Sequence, residues 1–164
     1  MASVLKVDDI QSTSAGGVTF STRPAFSVYL SDNAATADYT SVTAIPFDAE
    51  DFDIGNNLAM SSNAVFTAPI AGIYQFNLSL LLGNCTSASS CTTALYIDNA
   101  TVDGDLDLTY RVLHDPQGGA FQAFTSAHLI QLSASQTVTP YFVVESDTTT
   151  QPRQGTRFSG FLVG

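Results

Sequence analysis

Residues 66–82 read Phe66-Thr67-Ala68-Pro69-Ile70-Ala71-Gly72-Ile73-Tyr74-Gln75-Phe76-Asn77-Leu78-Ser79-Leu80-Leu81-Leu82. Pro69 and Gly72 are the residues a tight turn asks for, the first with a preset backbone angle and the second with none forbidden. Beyond the turn, Tyr74, Phe76, Leu78, Leu80 and Leu82 recur at every second position, with Gln75, Asn77 and Ser79 between them. A period of two sustained from Ile73 to Leu82 puts the large side chains on one face of an extended strand and the amides and hydroxyl on the other. The stretch therefore lines a core from one side.

The same texture continues to either side. Strands are expected at Ala25–Leu30, Ala44–Phe47, Ala64–Thr67, Thr93–Asp98, Asp107–Leu113, Phe121–Leu132, Val138–Glu145 and Thr156–Val163, separated by Gly, Ser, Thr, Asn and Asp. No segment longer than a turn or two carries apolar residues at helical spacing. With 19 Thr and 18 Ser among 164 residues, the surface is neutral and polar, and these side chains favour the pleat while competing with helix backbone bonds. Nine or ten short strands in one chain of this length imply a single all-β domain, a sandwich or jelly roll.

Charge narrows the partners. Five Lys and Arg against 15 Asp and Glu leave a formal charge of −10, and Lys6, Arg23, Arg111, Arg153 and Arg157 are too scattered to track a phosphate backbone. Nucleic acid and anionic membrane surfaces are disfavoured as partners, and no run approaches the roughly 20 apolar residues that span a bilayer. The opening Met1-Ala2-Ser3-Val4-Leu5-Lys6-Val7-Asp8-Asp9 carries acids where the apolar part of a secretion signal would lie, so no such signal is read. Residues 1–23 differ from the rest: Val4, Leu5, Val7 and Ile10 form a short apolar patch ahead of a small polar run. They are read as an N-terminal arm or docking segment, with residues 24–164 as the domain.

Catalytic chemistry is thinly supplied. His114 and His128 are the only histidines, neither sits in a recognisable nucleophile–base arrangement, and no phosphate-cradling loop or paired-histidine metal motif occurs, so an enzyme is not expected. Cys85 and Cys91 flank the end of the long strand and the start of the next. Were those strands a hairpin, a disulfide would close its neck; two free thiols are the alternative. Acids alternate at Asp48, Glu50, Asp51 and Asp53, and again at Asp103, Asp105 and Asp107. The second group has the spacing that opens a calcium loop but lacks the later Glu, position 114 being His, so a calcium site stands against a simply solvated face. Three glycosylation sequons, at Asn77, Asn84 and Asn99, are idle without secretion, and Asn77 falls inside a strand.

Three segments in one order resemble the globular head of the C1q and tumour-necrosis-factor-like superfamily. Phe66-Thr67-Ala68-Pro69-Ile70-Ala71-Gly72-Ile73-Tyr74-Gln75-Phe76 is similar to that family's Phe-Thr-x-Pro-x-x-Gly-x-Tyr-x-Phe. Gln122 to Leu132, followed by Val138, is similar to its penultimate hairpin, with Ser135-Gln136 where the family usually has Gly-Asp. Thr156-Arg157-Phe158-Ser159-Gly160-Phe161-Leu162 resembles its closing strand. The resemblance covers residues 24–164 and implies a jelly roll of about ten antiparallel strands that assembles as a homotrimer, one sheet of each copy facing the axis. Tyr29, Tyr96, Tyr110, Tyr141 and Phe161 are then the candidates for burial between copies. Some relatives bind calcium near the top of the trimer, which keeps that ion as the one cofactor to consider.

The arm, Leu5 to Thr13 with Gly17-Val18-Thr19-Phe20, resembles the openings of fibre and appendage proteins of tailed bacteriophages. From this resemblance the leading expectation is a non-enzymatic virion protein. It would be a trimeric knob, either a capsid decoration or a fibre head, docked on other virion proteins by Val4, Leu5, Val7 and Ile10 and meeting a host surface glycan or protein. The alternative is a secreted or surface-displayed C1q-like recognition protein, extracellular and lectin-like.

Overall fold

The computed structural model describes residues 23–61, 63–86, 88–98 and 110–164. Val4, Leu5, Val7 and Ile10 of the arm and Asp103, Asp105 and Asp107 of the calcium reading lie outside the described residues. The described residues form twelve strands: β1 (Ala25–Tyr29), β2 (Thr43–Ala44), β3 (Ala49–Ile54), β4 (Leu58–Met60), β5 (Ala64–Thr67), β6 (Gly72–Gly83), β7 (Ser90–Ile97), β8 (Arg111–His114), β9 (Phe121–Leu132), β10 (Thr137–Glu145), β11 (Gln151–Pro152) and β12 (Arg157–Leu162). Every pairing is antiparallel, and among the described residues there is no α-helix.

Two sheets result. In the first, β9 runs along one edge of β6, β12 and then β11 along the other, and β1 and β3 follow beyond β12; in the second the order is β4, β5, β10, β7, β8, with β2 also on β10. The long alternating strand is thus central to its sheet, and the closing strand lies directly beside it: Leu78 faces Phe158, Phe76 faces Gly160 and Tyr74 faces Leu162. The core between the sheets is aromatic. Phe26, Phe76 and Phe158 come from the first sheet and Phe66 from the second, and their rings meet at centroid separations of 5.1 Å (Phe26–Phe66 and Phe26–Phe158), 5.7 Å (Phe66–Phe76) and 5.9 Å (Phe76–Phe158). Tyr74 joins them with its hydroxyl donating to the Ile70 carbonyl at 2.8 Å, so the buried phenol is satisfied and the Pro69 turn is tied to the strand it launches.

Most expected strands form where alternation placed them, Ala64–Thr67 and Phe121–Leu132 to the residue. Two local readings change. Ala49–Ile54, read as an acidic cluster, is the edge strand β3, because Phe52 and Ile54 alternate between its acids and its amides complete the ladder to β1. β6 and β7 do not form a hairpin: they belong to different sheets, so the chain changes layers between Gly83 and Ser90. A third reading changes as well: β9 and β10, expected as a hairpin, belong to different sheets and do not pair, and the turn that carries the chain from one to the other has Ser135 at φ +73°, the left-handed region that glycine usually fills. Gln136 accepts the Ser133 amide at 2.8 Å and donates to Asp98 at 2.9 Å, holding the turn in place.

Gly160 makes the aromatic core possible. A Cβ there would lie 2.7 Å from a Phe76 ring carbon and 2.8 Å from one of Phe26, in a region with no give. Gly160→Ala is expected to destabilise the domain by about 1–3 kcal/mol through overpacking, measured as a lower midpoint in urea unfolding with an unchanged slope.

Candidate interaction face

Since side chains alternate, the strands that supply the aromatic core also present an outer face, and its residues can be read in rows across the first sheet. One row runs Leu129, Gln75, Phe161, Ala25, Ile54 through β9, β6, β12, β1 and β3. The next runs Ala127, Asn77, Ser159, Ser27, Phe52, and a third runs Thr125, Ser79, Arg157, Tyr29. Ile73 and Val163 extend the apolar row at the end where Pro24 enters, its carbonyl accepting the Leu162 amide. Leu129 is 62% exposed, Phe52 47%, Phe161 46% and Ile73 45%, so large apolar side chains gather toward one end of a face that otherwise carries neutral amides and hydroxyls. The small side chains of the second and third rows leave a shallow hollow of about 450 Å³ between Asn77, Ser79, Thr125, Ala127, Arg157 and Ser159.

Its electrostatics are unlike those of the chain as a whole. β1, β6, β9 and β12 contain no Asp or Glu, although the protein has 15. The one cation on these strands that faces outward, Arg157, is neutralised in place: it pairs with Asp51 and lies 5.0 Å over the Tyr29 ring. Asp51 is the extra residue of a bulge between β1 and β3, which aims its carboxylate along the sheet, and it also accepts from Ser27 Oγ at 2.9 Å. The hydrogen bond from Arg157, and after it that from Ser27, holds the Asp51 carboxyl below its ordinary 3.8. Two other acids of that cluster are engaged locally, Asp48 with the Ser31 amide and hydroxyl and Asp53 with the amides of Asn57 and Leu58. Among the described residues no group of three or more His, Cys, Asp or Glu side chains could hold a metal ion.

Of the five aromatics nominated for burial between copies, Phe161 and Tyr29 lie on this face. Tyr96 and Tyr141 stack at 4.3 Å on the second sheet, and Tyr96, 1% exposed, is buried within its own chain and has no surface to offer a second copy. Tyr110 sets its ring edge to His128 at 6.0 Å. His114 shares a hydrogen bond with Thr93 Oγ1 at 3.0 Å, and both histidines are pushed to lower pKa by burial, so the neutral ring is favoured. Leu129, Ile73, Phe52 and Ile54 escaped sequence reasoning; for Leu129 and Ile73 the signal that would have found them is the absence of carboxylates from their strands in so acidic a chain, whereas Phe52 and Ile54 sit among the acids of β3. Asn77, in the middle of the face, would block it if glycosylated, and its Oδ1 instead accepts from Gln75.

A family model described as the C1q domain matches residues 25–163. Among solved structures, the globular domain of a zebrafish complement 1qA protein superposes with a TM-score of 0.61 at 16% identity, covering 86% of this chain and 98% of that one. Murine APRIL superposes at 0.60 in one crystal form, with 13% identity over 85% of this chain and 98% of that one. Identities this low speak for the fold alone. No curated protein sequence matches the chain.

The sign of the Asp51 effect is testable. A carboxyl whose folded pKa is lowered stabilises the fold above its ordinary value and loses that contribution as the pH falls through the lowered one. Carbon-detected NMR titration is expected to place the Asp51 midpoint below 3.8, and Arg157→Gln to move it back up.

Proposed function

This chain belongs to the C1q domain family, and on that premise we propose that it is a homotrimeric recognition module acting outside the cell, assembled by packing the β9–β6–β12–β1–β3 faces of three copies about one axis. The C1q and tumour-necrosis-factor-like fold is a recognition and structural scaffold rather than a catalytic one, and a non-enzymatic role follows from membership. The face whose four strands β9, β6, β12 and β1 carry no carboxylate, and whose one acid contact is Asp51 paired with Arg157, carries the assembly reading. A chain of net charge −10 repels its own copies almost everywhere, so self-association needs a surface where no unpaired charge is buried. The first sheet supplies such a surface, with Leu129, Phe161 and Ile73 as apolar anchors and the Arg157–Asp51 pair already neutralised. The loops and the second sheet's edges then stay outward, free for a ligand.

A second reading rests on residues 5–20, whose resemblance to phage fibre openings supports a virion knob built on the same trimer. The apolar end of the face is where Pro24 joins the domain, so a preceding arm would leave from that end.

Sedimentation equilibrium of the full chain at micromolar concentration is expected to give about 52 kDa, three times 17.3 kDa. Leu129→Asp, at an exposed site, is expected to return the 17.3 kDa species with an unchanged circular dichroism spectrum. A wild-type monomer at that concentration would sink the assembly. For the second reading, deletion of residues 1–20 is expected to leave the trimer intact and abolish incorporation into particles; particles that still carry the truncated protein would exclude it.

A further inference from the structure

The fold buries both of the chain's cysteines in one interior, although the strands they follow and open belong to different sheets. Cys85 lies two residues past the end of β6 in the first sheet, and Cys91 is the second residue of β7 in the other. Both side chains enter the same packed interior, at 1% and 0% exposure, and both are free thiols. Cys85 Sγ donates to the Gly83 carbonyl at 3.6 Å. The crossover between them is tied to its surroundings by backbone bonds at each end, Asn84 to Ala120 and Ser89 to Glu145.

The thiols are chemically quiet. Burial, and then the nearby Asp147 carboxylate, pushes Cys85 up to about 11; burial, and then the charge of Cys85, pushes Cys91 up to about 12. At pH 7 roughly one in 10⁴ and one in 10⁵ of them is the thiolate that disulfide exchange requires, against a few per cent for an unburied cysteine.

We propose that Cys85 and Cys91 are the two halves of an oxidisable staple between the sheets, closed by a small-molecule disulfide while the chain folds and inaccessible to it afterwards. The thiolate of one cysteine attacks a sulfur of oxidised glutathione and expels one reduced glutathione. The other cysteine then attacks the protein sulfur of the mixed disulfide and expels the second. Two thiols lose two electrons, one glutathione disulfide gains them, and the two thiol protons end on the departing glutathiones. The state of the pair would therefore record the compartment in which the chain folded, independently of how the domain assembles or what it binds.

The test compares two samples of the full chain. One is unfolded under reducing conditions and refolded in a mixture of oxidised and reduced glutathione; the other is folded reduced and then placed in the same mixture. Both are denatured, alkylated with iodoacetamide and weighed. The refolded sample is expected to take up no label, to yield a linked peptide containing Cys85 and Cys91, and to melt about 5 °C higher than the reduced protein. The prefolded sample is expected to take two labels. Two labels on the refolded sample, glutathione retained on either sulfur, a bond between chains, or a bridged chain that fails to fold would each overturn the staple. Bridging of the prefolded sample as fast as the refolding one would overturn its coupling to folding.

Discussion

The absence of a side chain at Gly160 is the constraint from which the rest of this domain follows. Phe26 and Phe76 occupy the space where a Cβ would stand, and that lets them reach Phe66 on the opposite sheet and Phe158 on the same strand as the glycine. Burying a phenyl ring contributes roughly 1.5–3 kcal/mol, and correctly angled ring pairs add to it. A domain that spends so much of its surface on hydroxyls has few other places to gain that energy. The closing strand therefore has to lie beside β6 in one register, Gly160 against Phe76, since a slip of one residue would turn Phe158 out and Ser159 in.

That register also decides the outside. With Phe158 and Gly160 pointing inward, Arg157, Ser159 and Phe161 point outward, and the same parity in β6 and β9 brings Ile73, Gln75, Asn77, Ala127 and Leu129 alongside. Core packing and the interaction face are two sides of one pleat. The net charge of −10 is excluded from it and pushed to the edge strand β3, to loops and to caps, where carboxylates meet backbone amides as Asp48, Asp53 and Asp98 do. An acidic periphery is thus kept apart from a largely neutral face.

The readings that changed share a cause. Asp48-Ala49-Glu50-Asp51-Phe52-Asp53 looked like a cluster of ligands because four of its six residues are acids, yet an edge strand needs hydrophobic side chains on one face only and tolerates charge elsewhere. The β6–β7 hairpin was expected because neighbours in sequence usually pair, whereas a jelly roll sends the chain across to its other sheet at that point. Ser135 and Gln136 looked like a departure from the family's Gly-Asp turn. The serine adopts the left-handed conformation all the same, and the Gln136 amide spans Ser133 and Asp98, so the turn survives with different chemistry.

Alternation along the chain was sufficient to establish that the protein is all-β, where its longest strands begin and end, and which of their residues face inward, because the two-residue period of the pleat is a local property written in consecutive side chains. The three motifs carried the family for the same reason, each being a short stretch whose turn or close approach admits few residues. Which strands became neighbours was a matter for the tertiary structure alone. The row from Leu129 to Ile54 draws on five strands spread across more than a hundred residues, Tyr96 is buried by packing that no local pattern announces, and Cys85 and Cys91 share one interior only because two sheets close over it. Such surfaces arise from long-range pairing, and pairing is settled by what the whole core can fill.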